Sequence, residues 1–221
     1  MKKENRVGLT NFLEKYAGII MDRQYVLAGI LGEHNWDADI ENGVMAFDGP
    51  DVQTPFEIAG TYSFSSETWM WSWANEASGL PENMTVIARK LHALGEAENI
   101  RELVTPDFSA APVDLHVFAI LACGIGQADA FYVADYGDGM LVAVLTGDLV
   151  SAGWQPDHQR ALLVFPQVIS TFELDHQFAL VNYLQALGYE VKADKGVVAT
   201  KGKQQIRADF DDVGRLISLK G

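Results

Sequence analysis

A single cysteine, Cys123, stands in a chain of 221 residues. A lone thiol closes no intramolecular disulfide and cannot by itself build a thiolate metal site, so nothing here calls for an oxidising compartment. Long apolar runs are missing as well: no stretch approaches the ~18 consecutive apolar residues of a membrane helix. The charged opening, Met1 to Arg6, leads into no apolar region of the kind that marks a secretory signal. These absences point to a cytoplasmic protein with no membrane in its function. Basic residues are scarce, 16 against 30 acidic ones, which leaves a formal charge of −14. A field of that sign repels phosphate backbones and anionic lipid, so nucleic acid is excluded as a partner. It suits a basic protein partner, and it equally serves solubility alone.

Signature motifs are absent too. There is no Gly-x-Ser-x-Gly elbow, phosphate loop or dinucleotide fingerprint, so no cofactor is expected. His34, His92, His116, His158 and His176 fall into no metal-ligand spacing, and no metal is placed. Catalytic groups often converge from distant segments, so these gaps lower the expectation of an enzyme without removing it. Nothing signals an oligomeric state.

What is present is a foldable chain, 48% hydrophobic with a mean hydropathy of +0.03, able to bury a sizeable core. Residues 9–31 repeat apolar side chains every three or four positions, the stripe of an amphipathic helix, with Gly32 as its stop. The period then changes to two. Trp36, Ala38 and Ile40 alternate with Asp37, Asp39 and Glu41, and Asn42-Gly43 predicts a tight type I′ hairpin into residues 44–47. After a proline-containing turn at 48–55, Phe56, Ile58, Gly60, Tyr62 and Phe64 fall on one face of a strand. Trp69, Trp71 and Trp73 then share a face of the next, and the two stripes should look the same way. Helices opened by Pro81 and Pro112 provide the cover, the second (residues 113–125) as the central buried helix. Residues 131–136 and 140–146 read as a further strand pair. Pro166 should kink or split a helix that starts near Asp157. A helix over 175–187 and four short strands complete the chain.

Gly60-Thr61-Tyr62-Ser63, the run Trp69-x-Trp71-x-Trp73-Ala74-Asn75, and Phe210-Asp211-x-x-Gly214-Arg215-Leu216-Ile217 resemble a family of uncharacterised bacterial proteins known only as a domain of unknown function. The resemblance implies a bacterial, cytoplasmic, continuous unit, and it implies no activity, substrate or catalytic residue.

Two groups of residues are candidates for chemistry. Tyr62, Trp69, Trp71 and Trp73 can line a pocket for a flat or apolar ligand, or they can be core, since each aromatic buries about 150–250 Å². Asp37, Asp39 and Glu41 can hold a hard cation or meet a basic partner, and the same alternation also describes a solvated outer face. Other groups carry less. Asp135-Tyr136-Gly137-Asp138-Gly139 lacks the ligand pattern of a calcium loop and reads as a turn. Asp209, Asp211 and Asp212 read as strand-end residues, with Arg215 as a local ion partner. Cys123, seven residues after His116, lies in an apolar run that suits an inert thiol.

The expected fold is α+β: a mainly antiparallel sheet covered by helices in residues 1–150, and a docked helix-plus-strands subdomain in 151–221 that belongs to the same folding unit. The expected function is non-catalytic binding through an acidic surface, of the inhibitor or immunity type. The alternatives are a small-molecule binder that uses the aromatic stripe and a carboxylate-dependent hydrolase.

Overall fold

The apolar stripe folds as one long helix, α1 (Val7–Leu31), halted at Gly32. The computed structural model describes residues 7–221; the charged opening Met1 to Arg6 lies outside them. The architecture is α+β. A seven-stranded antiparallel sheet is built from β1 (Trp36–Asp39), β2 (Val44–Phe47), β3 (Val52–Ser63), β4 (Thr68–Trp71), β5 (Asp107–Ser109), β6 (Ala130–Asp135) and β7 (Gly139–Leu145). Its helices are α1, α2 (Val86–Glu98), α3 (Arg101–Val104) and α4 (Asp114–Gly126). After them come α5 (His158–Thr171) and α6 (His176–Ala186). A separate four-stranded sheet follows, with β8 (Glu190–Ala193), β9 (Gly196–Lys201), β10 (Gln204–Phe210) and β11 (Leu216–Lys220) in the order β11, β10, β9, β8. No helix among the described residues is long and apolar enough to cross a membrane.

Strand β3 is the spine of the large sheet. Its first four residues pair with β2, the rest pair with β7, and its last four also pair with β4. It starts earlier than the proline suggested. Pro55 opposes Val44 while Phe56 N donates to Gly43 O at 3.0 Å, so Pro55 occupies a non-hydrogen-bonded site facing β2 and that ladder loses nothing.

The expected single face of β3 is divided. A bulge at Ala59 shifts the register with β7 between Ile58 and Gly60, and one extra residue moves every later side chain to the other face. Phe56 and Ile58 therefore pack with Leu27, Leu31, Met45 and Phe47. Beyond the bulge, Tyr62 packs with Trp69, Trp71 and Phe118. Gly60 is required where the two stripes meet, because a Cβ there would lie 2.4 Å from both Met70 O and Trp69 Cζ2.

The hairpin of β1 and β2 forms in the expected place with a different turn. Asp39 pairs with Val44, leaving a four-residue loop, and of Asn42-Gly43 only Gly43 takes a positive φ, +67°. A type I′ turn needs both. The loop is held instead by Asp39, whose carboxylate accepts from Asn42 N at 3.0 Å and from Asn42 Nδ2 at 2.7 Å.

Central helix α4 is buried from Leu115 through Cys123 apart from the half-exposed Val117 and the exposed His116. Pro81 opens a 3-10 turn at Glu82–Met84 rather than α2 itself. Helix α2 is capped from β3: Glu57 Oε2 accepts from Ile87 N at 2.6 Å. Pro166 does not split α5, which runs unbroken through it. The proline is on the exposed side of that helix, where the carbonyl it leaves unpaired can turn to water.

One apolar cluster joins the first half of α1 and α4 to α5, α6 and the inner face of the small sheet, from Leu9 and Leu13 to Val197, Ala199 and Ile206. At its centre Asp22 of α1 is fully buried. Its carboxylate accepts from Trp154 Nε1 at 2.6 Å, Arg160 Nε at 3.0 Å and Tyr183 Oη at 2.6 Å.

Candidate functional site

The aromatic candidates lie in the core. Trp69 and Trp71 are 0% exposed and Tyr62 is 3% exposed. Trp69 packs at 4.9 Å against Phe118 of α4 with the rings tilted by 35°, and Trp71 donates its indole N–H to Glu102 O at 2.8 Å. Trp73 does not share their strand face, because β4 ends at Trp71 and the chain turns into a 3-10 helix at Ser72–Ala74. Its ring lies 4.0 Å from that of His92 on α2. The helices expected to cover the stripe, α2 and α4, do so, with α3 added.

The acidic candidates lie at the opposite extreme. Asp37, Asp39 and Glu41 are exposed, the first two on β1, which ends the sheet and pairs on one side only. Hydrogen bonds from Asn42 hold the Asp39 carboxyl below the usual carboxylate range, and those from Asn35 do the same for Asp48 at the hairpin's other end. Both stay ionised well below neutral pH. The surroundings reinforce the sign. No Lys or Arg occurs between Arg23 and Arg89, a stretch that holds ten Asp and Glu. Residues 1–150 contain eight basic and 22 acidic residues and so account for the whole −14, while residues 151–221 hold eight of each.

Asp211 accepts from Arg215 Nε at 2.8 Å, the local ion pair expected there. Cys123 is buried, and burial pushes its thiol far above the ordinary range, as an inert thiol requires. Asp135 Oδ1 accepts from Gly137 N at 2.8 Å, which closes the turn between β6 and β7. Among the described residues no three His, Cys, Asp or Glu side chains gather as metal ligands.

A groove of about 320 Å³ along β6 was not foreseen from the residues. Its wall is the α1 surface at Leu27, Ala28 and Leu31, and its lips are His116 on one side and His34 with Tyr132 on the other. These residues come from three distant segments with no common spacing, and His34 and His116 had stood out only as isolated histidines.

The model of a family of unknown function (DUF6882) matches residues 10–148. The chain belongs to that family. The DUF6882 match takes in the whole of the large sheet, the groove and the acidic hairpin, and it ends before α5. The C-terminal Phe210-to-Ile217 motif of the expected resemblance lies beyond the matched residues. Neither the curated proteins nor the solved structures gave a match.

Proposed function

We propose that this DUF6882 protein is a non-catalytic binding protein whose acidic hairpin receives a basic protein partner, in the manner of an inhibitor or immunity-type factor. The observation that carries the reading is the large sheet's charge. None of its seven strands contains Lys or Arg, and its terminal strand β1 turns Asp37 and Asp39 to solvent beside Glu41. Carboxylates arranged in this way steer a basic surface during encounter and repel acidic competitors. The Asn42 hydrogen bonds keep the Asp39 carboxylate fixed rather than mobile, so less of its side-chain freedom is lost on binding.

The test is capture of a basic partner and its salt response. Raising the salt from about 0.1 M to about 1 M shortens the Debye length from ~10 to ~3 Å, and association should fall steeply. The triple variant D37N/D39N/E41Q keeps the shape and one carbonyl acceptor at position 39 for Asn42 N while removing three charges. It should weaken binding at low salt by at least tenfold. Binding that is indifferent to both salt and these substitutions would refute the proposal.

A further inference from the structure

Strand β6 is an edge strand that pairs with β7 alone. Tyr136 N donates to Gly139 O at 3.1 Å, so by antiparallel alternation the even-numbered residues of β6 turn their backbone toward β7. The odd-numbered ones, Phe131, Val133 and Asp135, turn theirs outward. At Phe131 the outward pair is already occupied, by a side chain. Gln24 of α1 donates its Nε2 to Phe131 O at 2.9 Å and accepts from Phe131 N at 3.2 Å through Oε1. A carboxamide thus sits where a further strand would. Two residues on, Val133 offers the same donor and acceptor.

That second position opens into the groove. Phe131 and Val133 belong to one face of the sheet and Tyr132 to the other, yet all three line the same groove, which places it along the strand's edge. Its polar lips are ordered. His34 Nδ1 lies 2.9 Å from Gly32 O, which can only accept, so Nδ1 carries a proton, and Nε2 lies 3.0 Å from the Tyr132 hydroxyl. His34 and Tyr132 together form this lip of the groove. Across from it His116, solvent-exposed on one side, packs edge-on to Phe131 at 6.0 Å, and the partial burial of its ring lowers its pKa.

We propose that this groove binds a small planar molecule with a cis-amide edge, a lactam or cyclic imide, which pairs its N–H and C=O with Val133 as the Gln24 carboxamide pairs with Phe131. The free edge suits one such group better than a peptide strand. Gln24 blocks it at Phe131, and β6 ends at Asp135, so an added strand could pair at Val133 and Asp135 only. The inference stands apart from the acidic hairpin and its partner.

The test is an NMR titration of the ¹⁵N-labelled full chain with 2-piperidone and glutarimide, and with N-methyl-2-piperidone as the control that lacks the N–H. The expected result is a saturable downfield shift of the Val133 amide, with movement of the His34 and His116 ring signals, for the first two compounds only. Ala28→Leu, a change at an exposed position of the groove wall, should abolish that shift while the protein stays folded. An unmoved Val133 amide, or an equal response to the N-methyl compound, would overturn the proposal. So would a shift produced only by an extended peptide, which would assign the edge to strand pairing.

Discussion

Each strand of the small sheet carries one basic residue, Lys192, Lys201, Arg207 and Lys220, and no strand of the large sheet carries any. In the small sheet Lys192, Val198, Arg207 and Lys220 lie opposite one another in register, a row across the outer face. Lys201 turns the other way and donates to Leu187 O at 2.8 Å. The same backbone ladder therefore supports an acidic surface in the large sheet and a mixed one in the small sheet, where Glu190 and Asp209 stand beside the cations. Under the proposed function, recognition falls to the large sheet, within the family-matched residues, while the small sheet packs on α6, which in turn packs on α1.

That division can be broken most severely at Asp22, where α1 meets α5 and α6. Asp22→Ala leaves the Arg160 guanidinium, the Trp154 indole and the Tyr183 hydroxyl without their shared acceptor, and losing one partner of a buried ion pair costs about 3–5 kcal/mol. Urea unfolding should show that loss, and hydrogen exchange should weaken in both sheets together. A loss confined to β8 through β11 would mean that the two sheets fold separately.

Next in size is a substitution inside the large sheet. Gly60→Ala drives a Cβ into Met70 O and Trp69, an overpacking worth about 1–3 kcal/mol. Near-UV circular dichroism of the buried indoles should change while the small sheet keeps its exchange protection. Removing the edge clamp with Gln24→Ala takes away two hydrogen bonds, about 1–2 kcal/mol, and the Phe131 amide should lose its protection and exchange more like the unclamped Val133 amide.

Acid separates the regions by sign. Glu14 of α1, 7% exposed, accepts from Asp175 N at 2.8 Å at the start of α6, and burial raises its pKa. A raised carboxyl favours folding below its ordinary pKa and loses that contribution as pH rises through the folded value. Thermal melts should thus show Glu14→Gln gaining on the wild type from pH 4 toward pH 7. Asp39, held low, contributes above its ordinary pKa and loses that as pH falls. The smallest effect on stability is expected from D37N/D39N/E41Q, whose positions are all exposed, so its melting temperature at neutral pH should stay close to that of the wild type.

The period-two and period-3.6 patterns make α1, α4, the buried Trp69 and Trp71, and the four C-terminal strands legible in the sequence. Elsewhere local pattern was overruled by contacts it does not contain. The bulge at Ala59 sits among small residues that alternate equally well in either register. Trp73 continues the spacing of Trp69 and Trp71 after the strand has ended, and β5 is a three-residue strand given its place by β4. In α5, burial of Val164, Phe165 and Val168 outweighs the missing hydrogen bond at Pro166. The acidic hairpin was visible as residues because its charge is local. The groove was not, since its donor and acceptor are main-chain atoms, which no side-chain pattern encodes.

Site-specific photo-crosslinking in an extract of the source cells probes the division between the two sheets most directly. A photoreactive residue at Glu41, on the acidic hairpin, and one at Val198, in the basic row, report on the two surfaces separately. The account predicts a basic protein crosslinked through position 41 at low salt, lost at high salt, and not captured through position 198. Capture through 198 alone, or salt-insensitive capture at both positions, would contradict it.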